Sequence, residues 1–200
     1  SRWNLSGKRF TKVVFLRLLR GFFERNTKIV AKGLLGKILA NGATRGKIVE
    51  TEAYFGENDP ASHAAAKSKK RSSIMFGPAG CAYIYFTYGN HWLFNVVTEE
   101  EGTAGAVLIR ALEPLSGIEL MQQRRKTIDL HSLCSGPAKL TKALAIGGSF
   151  NGADLSKGPL CIFDSKEKPK IAVAPRIGVS RGKEAKLRFL IKGNGFVSRK

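Results

Sequence analysis

Acidic residues are scarce in this chain: 15 Asp and Glu stand against 34 Lys and Arg over 200 residues, a formal charge of +19 at pH 7. Self-repulsion on that scale is costly, so an acidic partner is expected to be part of the function. Nucleic acid fits best, because Lys and Arg contacts to phosphate release counterions and supply sequence-independent affinity. An anionic membrane surface is the weaker alternative. Cysteine is sparse as well. Cys81, Cys134 and Cys161 are odd in number, widely spaced and without a C-x-x-C pair. That pattern argues against a disulfide framework and against a zinc or iron-sulfur site, and it suits a reducing compartment. No apolar run approaches the roughly 20 residues that span a bilayer, since residues 13–23 are interrupted by Arg17 and Arg20, so a soluble chain is expected. Internal repeats and low-complexity tracts are absent too. The first residues are basic and acid-poor in the manner of a transit peptide, and the chain starts at Ser1 rather than Met, which leaves targeting open.

What is present is an ordinary globular complement: 43% hydrophobic and 24% charged residues, enough for one sizeable core. A single domain over residues 1–200 is expected, beginning with a basic helical region at 1–25. In residues 9–25, Phe10, Val13, Val14, Leu16, Phe22 and Phe23 recur at roughly helical spacing, with a break at Gly21. Residues 31–39 lead into Asn41-Gly42, a hairpin signal, and residues 46–53 read as the returning strand. Residues 57–80 turn to Asn, Pro, Ser, Ala and Gly around a basic run of Lys67, Lys69, Lys70 and Arg71, the composition of a long, mobile, positively charged loop. Residues 81–97 read as a second hairpin turning at Tyr88-Gly89-Asn90, and residues 106–112 as an apolar strand whose single charge, Arg110, needs a partner. Pro114 is expected to open a helix through about Lys126 with Gln122, Gln123, Arg124 and Arg125 on its exposed side, and Ser135-Gly136-Pro137 to cap another over 138–146. Short strands at 160–163, 171–173 and 187–191 follow. Strands and helices do not alternate regularly, which predicts an α+β fold over a doubly wound sheet.

The functional signal is concentrated in residues 48–63. Strand period places Glu50, Glu52 and Tyr54 on one face, with His63 close behind and a Tyr-rich strand about thirty residues later. For any one Glu, the bland reading is a solvated strand face; the shared aromatic and the second Tyr-rich strand point instead to a pocket. Flat faces at Tyr54, His63 and Tyr85 suit a stacked base, and basic loops suit a phosphate backbone. A carboxylate in such a pocket can activate water for hydrolysis of a glycosidic bond, or can hydrogen-bond the base. On chemistry alone both roles stay open.

The motifs Val49-Glu50-Thr51-Glu52-Ala53-Tyr54 with Gly56 and His63, Met75-Phe76-Gly77-Pro78, Tyr83-Ile84-Tyr85, Tyr88-Gly89, Asn95, Leu108-Ile109-Arg110-Ala111-Leu112-Glu113-Pro114-Leu115 and Leu133-Cys134-Ser135-Gly136-Pro137 resemble, in order, the alkyladenine (3-methyladenine or methylpurine) DNA glycosylases. The similarity is collinear from about residue 30 to 192. The resemblance implies a curved, mostly antiparallel sheet with helices around it and a protruding β-hairpin that enters DNA. It implies a monomeric, monofunctional enzyme without metal or cofactor that flips a damaged purine from double-stranded DNA and cuts its N-glycosidic bond. On the matching positions, Glu52 would be the general base, with Arg110 and the backbone carbonyl of Ile177 positioning the water. Tyr54, His63 and Tyr85 would stack on the base, the main chain near Ala61 and His63 would read its edge, and Asn95 would crowd the exocyclic amino group of guanine. Tyr88 would wedge into the duplex beside Asn90, and the run from Lys67 to Arg71 would grip the backbone. Glu50 would be structural, and Arg110 could also pair with it. The chain departs from the family pattern at Lys70-Arg71-Ser72-Ser73-Ile74 and at Asn90-His91-Trp92, both among the expected DNA contacts. A non-catalytic nucleic-acid binder is the rival from another class, and no Lys lies within the motif cluster to support Schiff-base chemistry.

Overall fold

The computed structural model describes residues 16–65, 72–87 and 89–199. Within these, eight antiparallel strands form one sheet, which is the α+β arrangement expected. Asn41 pairs with Thr44, so the first hairpin joins β1 (Ile38–Asn41) to β2 (Thr44–Tyr54) through Gly42 and Ala43, one residue later than the Asn-Gly signal suggests. Gly42 supplies the positive φ (57°) that the first loop position of such a turn requires.

β2 is the spine. Its first half pairs with β1, its second half with β8 (Arg188–Ile191), and its other edge with β5 (Ala106–Ser116) along most of its length. Register shifts near Arg45 and Glu50 interrupt that long pairing and bend the sheet. Gly46 lies so close to β5 that a Cβ there would meet the Leu112 Cβ at 2.9 Å. The sheet order runs β3 (Ala82–Thr87), β4 (His91–Val97), β5, β2, β1, β6 (Leu160–Phe163), and β7 (Ile171–Ala174) pairs with β8. The main core joins the segment 30–35 to the sheet through Val30, Leu34, Leu35, Ile48, Phe94, Ile109 and Phe189. A smaller cluster of Met75, Tyr83, Val97 and Ala106 lies beneath the candidate site.

Among the described residues the α-helices are few and short: α1 (Arg20–Phe23), α2 (Thr27–Gly33, N-capped by Asn26), α3 (Ile118–Arg125) and α4 (Pro137–Ala143). No helix among the described residues is long and apolar enough to cross a membrane.

Five expectations are corrected in whole or in part. The helical spacing of 9–25 falls partly outside the described residues, and in the described part Arg17 bridges to Phe163 in extended conformation, with Leu18 donating to the Ile162 carbonyl. Burying Leu18 at the sheet edge outweighs local helical spacing, and among the described residues of this stretch Arg20–Phe23 alone is helical. Pro114 does not open a helix. It lies in β5 opposite Gly46, where the register shift accommodates a residue with no N–H, and α3 starts only after Gly117. The Arg124 and Arg125 side chains of α3 reach the Ala143 and Leu133 carbonyls rather than lying free on the surface. The expected Ser135-Gly136-Pro137 cap forms through Gly136 with Pro137 in the first turn, but α4 ends at Ala143 instead of running on to 146. The 57–80 segment is built of pinned turns where it is described, with 3-10 turns at His63–Ala65 and Ser73–Phe76 and a fully buried Met75.

Candidate active site

β2 presents Glu50, Glu52 and Tyr54 along one face, as period 2 requires, but not to solvent: both glutamates are fully buried. A buried carboxylate is tolerated only when paired and hydrogen-bonded. β5, next to β2, supplies the pair. Arg110 donates from Nε to Glu50 Oε1 and from Nη1 to Glu52 Oε2, both at 3.3 Å. The one cation of β5 therefore serves two glutamates. Glu52 also accepts from the Tyr54 hydroxyl at 2.8 Å and from the Ile177 amide at 2.7 Å. Burial drives the Glu52 carboxyl above its ordinary value; Arg110, the Ile177 amide and the Tyr54 hydroxyl pull it down without cancelling the effect. Burial, and then the adjacent Glu52 charge, raise the Tyr54 phenol far above its ordinary range, so it stays a donor.

The three residues that bond this carboxylate, Tyr54, Arg110 and Ile177, line a cavity of about 420 Å³, within the range of small-ligand sites, while Glu52 itself is not among the lining residues. Tyr54, Ala61, His63, Tyr85, Asn95, Arg110 and Ile177 all line it, so the predicted set converges from β2, β3, β4, β5 and two loops. Its aromatic wall is pre-assembled: His63 Nδ1 and the Tyr83 hydroxyl are 2.7 Å apart, and the His63 and Tyr85 rings meet edge to face at 4.6 Å. Asn95 is buried and donates to the Tyr83 carbonyl. Two main-chain groups are already engaged: the Ala61 amide donates to Asp59, and the Ile177 N–H donates to Glu52. Lys67, Lys69, Lys70, Arg71 and Tyr88 lie outside the described residues. Asn90 is exposed in the turn between β3 and β4.

Several residues of the site escaped sequence reasoning. Arg176 is buried against Asp59, its Nη1 and Nη2 donating to the two carboxylate oxygens at 2.6 and 2.8 Å. The same Nη1 donates to the Ala53 carbonyl, and the guanidinium lies 4.7 Å over the Tyr54 ring. Burial would raise the Asp59 carboxyl, but hydrogen bonds from Arg176 and from the Phe55 and Ala61 amides hold it below its ordinary value. One ion pair thus fastens the His63 loop, the Tyr54 ring and the residue preceding Ile177 together. Arg188 of β8 donates to Glu50 at 3.0 Å. Arg181, Lys183 and Lys186 are exposed on the loop that runs on from Gly178, Val179 and Ser180 at the cavity lip. Asp59 and Arg176 are 117 residues apart, and no local pattern links them.

A family model described as Methylpurine-DNA glycosylase (MPG) matches residues 21–195. Curated relatives match along nearly the whole chain. A protein of Carboxydothermus hydrogenoformans is 49% identical over 191 residues, covering 92% of this chain and 99% of its own. One of Methanoculleus marisnigri is 46% identical over 193 residues, covering 92% and 100%. One of Chlorobaculum tepidum is 45% identical over 191 residues, covering 92% and 91%. All three are assigned by name as 3-methyladenine DNA glycosylases.

Proposed function

The chain belongs to the methylpurine-DNA glycosylase family, and from that premise we propose that it excises damaged purines, alkylated or deaminated, from double-stranded DNA in base-excision repair, using a water activated by Glu52. The observation that carries this reading is the setting of the Glu52 carboxylate: fully buried and bonded to three donors, Tyr54, Arg110 and Ile177, each of which lines the aromatic cavity.

A carboxyl raised above its ordinary value is a better proton acceptor, so the burial that costs stability serves general-base chemistry. Water attacks C1′ of the sugar, its proton passes to Glu52, and the C1′–N bond pair leaves with the base. Arg110 holds Glu52 in place, and Ile177 fixes the other carboxylate oxygen. Tyr54, His63 and Tyr85 sandwich the flipped base, the main chain of Ala61 and His63 reads its edge, and Asn95 on the floor opposes the guanine amino group. A purine alkylated at N3 or N7 carries positive charge, which weakens its glycosidic bond and favours electron-rich rings around it. Neutral lesions lack that advantage and depend on the lower cost of extruding a poorly paired base. Tyr88 with Asn90 wedges the duplex, and Lys67, Lys69, Lys70 and Arg71 contact phosphate, joined by Arg181, Lys183 and Lys186. The protein acts as a monomer, one domain over residues 1–200, inside the cell and on DNA.

Single-turnover incubation with duplexes bearing one 7-methylguanine, hypoxanthine or ethenoadenine, followed by hot alkali, tests the reading. Scission that falls by about 10²- to 10⁴-fold in Glu52→Gln, with duplex binding retained, is the expected result. Salt-sensitive binding with no scission on any duplex would leave a non-catalytic binder in its place.

A further inference from the structure

Glu50 is fully buried two residues before Glu52, and the proposed hydrolysis makes no use of it. Its carboxylate is nonetheless the more heavily bonded of the two. Oε1 accepts from Arg110 Nε at 3.3 Å, from Arg188 Nη1 at 3.0 Å and from the Ser198 hydroxyl at 3.0 Å; Oε2 accepts from the Ser198 amide at 2.6 Å. Ser198 therefore supplies two of the four donors. It belongs to a segment, 194–199, with no other part in the chemistry. Asn194 turns that segment by donating to Glu113 and accepting from the Phe196 amide, and the Phe196 ring stacks on His131 at 4.4 Å. The Arg199 carbonyl accepts a further bond from Arg188.

Arg110 is shared between the two glutamates, so whatever changes the hold of Glu50 on its guanidinium changes what remains for Glu52. We propose that Ser198 is a positioning residue for the reaction centre: by occupying the Glu50 carboxylate with its amide and hydroxyl, it limits how strongly Glu50 competes with Glu52 for Arg110. The proposal rests on Glu52 being the general base. The groups that face Glu52 are Arg110 from β5, Glu50 and Tyr54 from β2, and Arg176 from the loop before Ile177; Arg188 from β8 faces Glu50. Among them Ser198 touches only Glu50, which is why its influence has a sign that differs from that of Glu50 itself. Without the Ser198 donors, Glu50 draws Arg110 toward itself and Glu52 keeps its proton to higher pH. Without the Glu50 charge, Arg110 turns to Glu52, which then gives up its proton at lower pH.

The test is a ¹³C-carboxylate NMR titration of Glu52 in the DNA-free protein, its resonance identified by its loss in Glu52→Gln, alongside the pH dependence of single-turnover base release. Ser198→Ala is expected to raise the Glu52 midpoint by about half a pH unit and to move the acid limb of release by the same amount. Lesion-duplex binding stays at the wild-type value, and Ser198→Thr, which keeps the hydroxyl, restores both readouts. Glu50→Gln shifts the midpoint the opposite way, and in that background Ser198→Ala has no further effect. An unchanged Glu52 midpoint in folded Ser198→Ala overturns the proposal, as does a shift that persists in Glu50→Gln. If Glu50→Gln does not fold, the Ala midpoint and its rescue by Thr decide alone. A wild-type protein that releases no base refutes the general-base reading, while the titration still decides whether Ser198 acts on Glu52.

Discussion

Arg176 grips Asp59 through two nitrogens at 2.6 and 2.8 Å, whereas Arg110 is divided between Glu50 and Glu52 at 3.3 Å each. Both arginines are buried; Arg110 lines the cavity, and Arg176 lies over the ring of Tyr54, which lines it. In the first assembly two charges meet through four fork-to-fork atoms, and backbone amides fill the remaining acceptor sites of Asp59, leaving only Arg176 Nε buried without a partner among the described residues. Its outcome is a carboxyl held below its ordinary value and a fixed loop. The second is open: one cation for two carboxylates, relieved on the far side by Arg188 and Ser198, with Glu52 left above its ordinary value. A short, exclusive pair builds a wall, and a long, shared one leaves a carboxylate available to take a proton.

The sharpest way to break this contrast is to remove the acid from each. Glu52→Gln is expected to lose release by about 10²- to 10⁴-fold while its Tm at pH 7 stays within about 2 °C of the wild type or rises above it. Asp59→Ala leaves Arg176 as a buried, uncompensated charge, which costs about 3 kcal/mol or more and lowers the Tm by about 6–12 °C in a chain of this size. Thermal melts and single-turnover assays on both variants check the pair. Equal loss of stability in the two would remove the distinction.

pH separates them by sign. Asp59 titrates lower in the folded chain than in the unfolded one, so its stabilisation is complete above the ordinary carboxylate value and disappears as pH falls through its depressed folded value. Glu52 titrates higher when folded, so its contribution is present in acid and is lost as pH rises through the raised value. Melting curves from neutral pH into the acid range are expected to fall less steeply for Asp59→Asn than for the wild type, and more steeply for Glu52→Gln.

A smaller effect is expected where only one donor is withdrawn. Tyr54→Phe keeps the ring between Arg176 and the cavity but deletes the hydroxyl bonded to Glu52. The acid limb of the pH–rate profile should move upward, with release at neutral pH reduced by roughly tenfold or less. The least affected group should be Cys134, fully buried, whose thiol burial pushes up to about 12. In the native protein at pH 8 it should resist iodoacetamide while half-buried Cys81 reacts first, and a reversal would mean the core around Leu133 and Leu140 opens.

Much of this arrangement was legible from residue order. Alternation at Glu50, Glu52 and Tyr54 placed three functional groups on one face, because a strand repeats every two residues whatever it packs against. The charge of Arg110 inside an apolar run demanded an acid, and it found two. The turn near Gly42 and the β3–β4 hairpin also follow from local chemistry. Local rules failed where a distant contact overrode them. Arg17 and Leu18 extend along the sheet edge because Leu18 enters the core, and Pro114 stays in β5 because a register shift opposite Gly46 relieves it.

Sequence alone determined which chemical groups are available, which of them share a strand face, and that the surface carries a large positive charge. Tertiary structure alone decided their partners. Ile177 reaches Glu52 across 125 residues, Arg176 reaches Asp59 across 117 and Ser198 reaches Glu50 across 148. Hydrogen bonds act over about 3 Å of space and are blind to separation along the chain, so only the fold that buries Glu50 and Glu52 could say which donors would satisfy them.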